Sequence, residues 1–218
     1  LVHDDLPCMD DDMMRRGQAS TWAEYGEDMG VLAGDALMIY AFEVAAKAFK
    51  EVSDADDLKR VGRAIEILAS KTGIYGMIGG QTVDVELAGG PIPKNKLDFI
   101  YRLKTGALIE ASMLIGAVLG GAAEEDCKIV ESLAGKVGLA FQIQDDILDV
   151  TSTSQELGKP VHSDEKNNKV TYVSLVGAPA AASRVKELSD HAVELLDDLD
   201  RKNGFLDLLV ESLVSRRK

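Results

Sequence analysis

Basic residues are scarce in this chain: 24 Lys and Arg stand against 37 Asp and Glu, a formal charge of -13. That balance excludes the broad basic surface on which nucleic-acid backbones are held, so no nucleic acid is expected as a partner. An anionic ligand would have to be received by bound cations and a local group of Lys and Arg. Cysteine is scarcer still: Cys8 and Cys127 are the only two, and without metal-ligand spacing they read as reduced, packed thiols. His3, His162 and His191 are too scattered to suggest a zinc site. No apolar run is read as reaching membrane-spanning length and no signal peptide is visible, so the expectation is a cytoplasmic chain with no membrane span. Strand-like alternation of useful length, internal repeats and interdomain linkers are missing as well.

What remains is helical. The 218 residues suffice for a substantial core and are most simply one domain. Abundant Ala, Leu, Gly and Met with 5% aromatics suit closely packed helices. Helical spacing of apolar residues predicts helices over about 27–50, 54–71, 74–87, 96–119, 124–150, 178–202 and 205–217. Residues 1–13 read as the end of a helix distorted at Pro7, which lacks the amide to bond His3. Residues 15–20 read as a loop.

Two acidic stretches stand out. In His3-Asp4-Asp5-Leu6-Pro7-Cys8-Met9-Asp10-Asp11-Asp12, five carboxylates fall within nine residues beside apolar Leu1, Val2, Leu6 and Met9. So many anions repel one another unless a cation binds between them, and all-oxygen ligands suit hard ions such as Mg2+. Arg15 and Arg16 follow, with planar donor forks suited to phosphate oxygens. In a straight helix Asp4 would align with Asp11 better than with Asp10, so which of the two binds metal is open on geometry alone. In the second stretch, Phe141 to Asp149, a helix places Gln142, Asp145, Asp146 and Asp149 within an arc of roughly 100°. One acidic run would be read as a solvated face. Two such runs, with later lysines, read as a diphosphate site.

These motifs resemble those of the trans-prenyl diphosphate synthases, the short-chain polyprenyl synthase family. The first aspartate-rich motif matches at Asp4, Asp5 and Asp10, and the second at Asp145, Asp146 and Asp149. Gly80-Gln81-Thr82-Val83-Asp84, Lys104-Thr105, Phe141-Gln142, Gly158-Lys159 and Asn168-Lys169-Val170-Thr171-Tyr172 follow the family's order. Gln81 with Asp84 reads either as a buried hydrogen-bonded pair or as a ligand contact. The resemblance implies an all-α fold, an antiparallel helical bundle of the isoprenoid synthase type with a central active-site cavity. It also implies that upstream helices are missing before Leu1, an N-terminally truncated chain, and that the protein is a homodimer.

By the same resemblance, Mg2+ is held by Asp4, Asp5 and Asp10 and, on the other side, by Asp145 and Asp149, with Asp146 in support. Arg15, Lys104, Lys159 and Lys169 hold an allylic diphosphate, Thr105 and Gln142 steady it, and Arg16 faces isopentenyl diphosphate. Asp4, Asp5, Asp145 and Lys104 are the expected catalytic residues. The implied reaction is condensation of isopentenyl diphosphate with the allylic diphosphate through an allylic cation. The Asp4-Asp5-Leu6-Pro7-x-Met9-Asp10 form with Gly158-Lys159-Pro160 points to farnesyl diphosphate. Geranylgeranyl diphosphate is the near alternative. A non-catalytic subunit of a heteromeric synthase is disfavoured by two intact motifs, and a class I terpene cyclase by the all-Asp second motif.

Overall fold

The computed structural model describes residues 1–151, 170–199 and 204–215, with Val214 and Ser215 described by backbone only. Among the described residues, the regular secondary structure is helical except for one short hairpin. It divides into two compact units, one spanning Leu1–Leu58 and the other taking up most of the chain from Lys59 onward.

In the first unit, residues 2–10 form successive turns rather than the expected helix end. Pro7 is the physical reason. Before it, the Asp5 amide still reaches the Leu1 carbonyl at 3.0 Å, the helical spacing. Beyond it, the amides of Asp11, Asp10 and Asp12 reach back five, six and seven residues, to Leu6, Asp4 and Asp5. The chain then turns through β1 (Met14–Arg15) and β2 (Gln18–Ala19), paired antiparallel with Arg15 opposite Gln18. This hairpin corrects the reading of 15–20 as a plain loop. Arg16 and Gly17 both have positive φ, 54° and 79°, the backbone of a two-residue turn whose twist matches paired strands. Helix α1 (Thr21–Tyr25) follows, then α2 (Glu27–Lys47), extended by one 3-10 turn at Ala48–Lys50.

Helix α2 overturns one expectation. Its charges are few between Met29 and Ala46, and Glu27–Lys50 is 24 residues long and apolar enough to cross a membrane by length and composition. Only 11% of its most apolar window is buried. Leu32, Leu37, Met38, Ile39, Tyr40 and Val44 are all exposed.

The second unit is built around one long helix. After α3 (Ala55–Thr72), whose first amides are capped by the Asp54 carboxylate, come α4 (Met77–Glu86) and α5 (Lys94–Ile100). A π-helical segment, Tyr101–Gly106, leads into α6 (Ala107–Leu119). Helix α7 (Glu124–Thr151) is 28 residues long and lies at the centre. Its Leu133, Ala134, Val137, Ala140 and Ile143 are wholly buried. Helices α8 (Tyr172–Val176), α9 (Ala178–Asp197) and α10 (Gly204–Ser215) complete the unit. Ala140 and Ile143 of α7 pack with Ile100 and Tyr101 on one side and Ala181, Val185 and Leu188 of α9 on the other. Leu133 and Val137, two turns earlier, pack with Ala192, Leu196 and Val210.

Candidate active site

Each acidic motif is built within its own unit. In the first, the wide turns after Pro7 bond the Asp10 amide to the Asp4 carbonyl at 2.9 Å, which folds residue 10 back over residue 4. Asp11 has φ of 53° and is exposed, whereas Asp4 and Asp10 are half-buried. The Pro7-Cys8 insertion therefore makes a loop wide enough to bring Asp10, rather than Asp11, against Asp4. Cys8 itself is exposed.

Asp5 is 3% exposed, too buried to keep a charge without a partner. Arg15 provides it. The Arg15 Nε donates to Asp5 Oδ1 at 3.0 Å and Oδ2 at 3.3 Å, and its Nη2 donates to Asp5 Oδ1 and, at 3.4 Å, to Asp12 Oδ2. The hydrogen bond to Asp5 raises the guanidinium's pKa above its usual value despite burial. Arg15 therefore serves the first motif directly, because the hairpin carries it back over Asp5. Arg16, on the exposed turn of that hairpin, is open to solvent. Trp22 Nε1 donates to the Asp12 carbonyl at 2.9 Å and His3 Nε2 bonds the Val31 carbonyl at 2.9 Å, tying the motif to α1 and α2.

In the second unit, the π segment brings the expected diphosphate ligands to α7. Thr105 Oγ1 donates to Gln142 Oε1 at 2.7 Å. Lys104 Nζ bonds Asp84 Oδ2 at 2.6 Å, so Asp84 of α4 serves the lysine. Neither residue is deeply buried, each side chain being 22% exposed, so the ammonium remains open to an anion. Gly80 allows this approach: a Cβ there would run into the Lys104 amide and the Leu103 side chain. Asp145 is half-buried, while Asp146 and Asp149 are each 3% exposed. Asp146 Oδ2 accepts from Tyr101 Oη at 2.6 Å and from the Tyr172 amide at 2.7 Å. Lys159 and Lys169 lie outside the described residues.

Sequence reasoning missed Tyr101 and the part of Asp84. Both signals were present, as a tyrosine four residues before Thr105 and an aspartate within the Gly80–Asp84 motif. Among the described residues, no three His, Cys, Asp or Glu side chains are gathered closely enough to hold a metal ion. The donor chemistry nevertheless fits Mg2+, since both motifs offer carboxylate oxygens alone. An ion entering the first motif must share Asp5 with Arg15 or displace it.

The polyprenyl synthetase family profile matches residues 1–202. The chain is 44% identical over 201 residues to the chloroplastic geranylgeranyl pyrophosphate synthase of Catharanthus roseus, covering 92% of this chain and 55% of that protein. It is 39% identical over 223 residues to the farnesyl diphosphate synthase of Escherichia coli (strain K12), covering 100% of this chain and 73% of the relative. Thus the chain spans little more than half of the plant relative and about three quarters of the bacterial one. Among solved structures, a geranyltransferase from Helicobacter pylori complexed with magnesium and isoprenyl diphosphate superposes with a TM-score of 0.84 at 35% identity. That match covers 98% of this chain and 68% of the other. With a matching helical fold and a family profile running from the first motif past the second, the chain belongs to the polyprenyl synthetase family, the trans-prenyl diphosphate synthases.

Proposed function

We propose that the chain condenses isopentenyl diphosphate with an allylic diphosphate, as a trans-prenyltransferase using Mg2+. The observation that carries this reading is that cations suited to phosphate stand ready in both units: Arg15 bonded to Asp5 of the first acidic motif, and Lys104, bonded to Asp84, next to Thr105, whose hydroxyl bonds Gln142 on the helix of the second. Asp4, Asp5 and Asp10, with Asp145 and Asp149, are the proposed metal ligands. When bound, Mg2+ would supply positive charge for the departing pyrophosphate. Arg15, Lys104, Lys159 and Lys169 hold and neutralise the allylic diphosphate. Thr105 and Gln142 fix its orientation, and Arg16 receives isopentenyl diphosphate. With the leaving group so stabilised, the allylic carbon–oxygen bond ionises, the isopentenyl double bond attacks, and proton loss restores an alkene.

Farnesyl diphosphate is the proposed product, supported by the Asp4-Asp5-Leu6-Pro7-x-Met9-Asp10 and Gly158-Lys159-Pro160 sequences. Geranylgeranyl diphosphate is the second reading, favoured by the 44% identity to the Catharanthus roseus protein. We propose a homodimer, supported by the exposed apolar residues of α2, which two copies would cover.

Calorimetry with a thiolo analogue of geranyl diphosphate tests the central reading. Binding should require Mg2+ and vanish with a chelator; equal affinity without Mg2+ would refute it. Chromatography of the products made from isopentenyl and dimethylallyl diphosphates then distinguishes the C15 from the C20 product.

A further inference from the structure

The π segment departs from the α-helical register of its neighbours, and α7 grips it at both ends. At its start, Tyr101 Oη donates to Asp146 Oδ2 at 2.6 Å. Near its end, Thr105 Oγ1 donates to Gln142 Oε1 at 2.7 Å. Tyr101 and Thr105 are four residues apart, as are Gln142 and Asp146, and the two pairs run antiparallel. Beyond them, a Cβ on Gly138 would lie 2.7 Å from the Gly106 Cα, so the two backbones touch there. Lys104 sits between the anchored ends. A π turn is rare, occurs mostly as a single turn inserted in α-helix, and is frequent at functional sites. Were one anchor lost, the segment could relax toward α-helical register and swing Lys104 away from its present direction.

Asp146 is built for anchoring. It is 3% exposed, and the oxygen that accepts from Tyr101 also accepts from the Tyr172 amide at 2.7 Å. The Tyr172 amide in turn lies 3.3 Å from Tyr101 Oη, closing a three-membered network of π segment, α7 and the first turn of α8. Charge-assisted bonds on a buried carboxylate oxygen are strong and directional.

We propose that Asp146 is a positioning residue rather than a metal ligand: acting through Tyr101, it fixes the π segment that presents Lys104 and Thr105 to the allylic diphosphate. The inference rests on the prenyltransferase reading above. Tyr101→Phe is the decisive variant, since it deletes one oxygen, changes no charge and touches no proposed ligand of metal or substrate. Calorimetry with the thiolo analogue, well below the melting temperature, should show Kd raised about tenfold, the loss of one hydrogen bond to a charged group. The Mg2+ concentration for half-maximal binding should stay unchanged. Asp146→Asn should likewise weaken analogue binding while leaving the Mg2+ requirement within about twofold, whereas Asp145→Asn should raise it by about tenfold, the loss of one charged contact.

Three results overturn the inference. Wild-type affinity in Tyr101→Phe would make its hydrogen bond merely structural, whatever the melting temperature does. A Mg2+ requirement in Asp146→Asn raised as far as in Asp145→Asn would make Asp146 a metal ligand. Failure of the unmutated chain to bind the analogue with Mg2+ would remove the prenyltransferase reading and this inference together. Should Tyr101→Phe fail to fold, the Asp146→Asn and Asp145→Asn comparison decides by itself.

Discussion

Lys71 is the residue whose replacement should most clearly expose how the second unit is held together. Its ammonium lies 2.6 Å from Glu110 Oε2 and 2.8 Å from Glu131 Oε1, joining α3 to α6 and α7. Glu110 is 9% exposed and packs beside Gly135, where a Cβ would lie 3.1 Å from its Oε1. Lys71→Met keeps most of the volume and strands the Glu110 carboxylate in the core. Breaking a fully buried pair this way costs about 3–5 kcal/mol. Here the Lys71 side chain is 22% exposed and Glu131 is 51% exposed, so water recovers part of that. A loss of about 2–3 kcal/mol follows, or roughly 4–12 °C in melting temperature for a chain of this size. The double variant Lys71→Met/Glu110→Leu removes the stranded charge and should regain most of the loss. Burial of the Lys71 ammonium opposes its charge, but hydrogen bonds to Glu110 and Glu131 outweigh this and raise its pKa above the ordinary 10.5. A raised folded pKa means that this stability is fully present below 10.5 and lost as pH rises through the folded value. Thermal melts of wild type and Lys71→Met should therefore converge only in strongly alkaline buffer. A single variant melting within a degree of wild type, or a double variant no better than the single, would refute the argument.

Other perturbations probe the two motifs and the helix contacts. Asp145→Asn should lower turnover by roughly 10²–10³, the usual cost of one electrostatic contact to a leaving group, with little change in melting temperature. Arg15→Ala leaves Asp5 buried without its cation. Because the Arg15 side chain is itself 33% exposed, the cost should be about 2 kcal/mol, and added Mg2+ should recover more stability in the variant than in wild type. Gly138→Ala sets a methyl group against the Gly106 Cα and should cost about 1–3 kcal/mol, read from urea unfolding.

The long helices were legible because they repeat. Leu58, Val61, Ile65 and Leu68 mark α3 at helical spacing, and α7, α9 and α10 show the same pattern to within a few residues. Short elements escaped for the complementary reason. Five-residue α8 is too brief for periodicity, although Thr171 and Ser174 carry a capping signature: Thr171 Oγ1 accepts from the Ser174 amide at 3.1 Å and Ser174 Oγ from the Thr171 amide at 2.9 Å. The β1–β2 hairpin turns on Arg16 adopting positive φ, which a basic residue does not advertise. On α2, apolar composition with two scattered acids hid a run that is long enough, helical and mostly exposed.

The acidic motifs could be found from composition and spacing, because repulsion among carboxylates demands a cation wherever they meet. Which cation meets which carboxylate was not legible, because pairing depends on contacts between residues far apart in sequence. Lys71 bonds partners 39 and 60 residues away, Lys104 one 20 residues back, and Tyr101 one 45 residues on. Spacing along a helix treats Asp145, Asp146 and Asp149 as equals on one stripe. Packing separates them. The half-buried Asp145 keeps access to solvent, while Asp146 is drawn into the network of Tyr101 and the Tyr172 amide. A residue so engaged already commits one carboxylate oxygen to two short hydrogen bonds. Identical side chains in one motif can therefore divide the work, with burial rather than sequence position deciding which one anchors and which one faces a ligand.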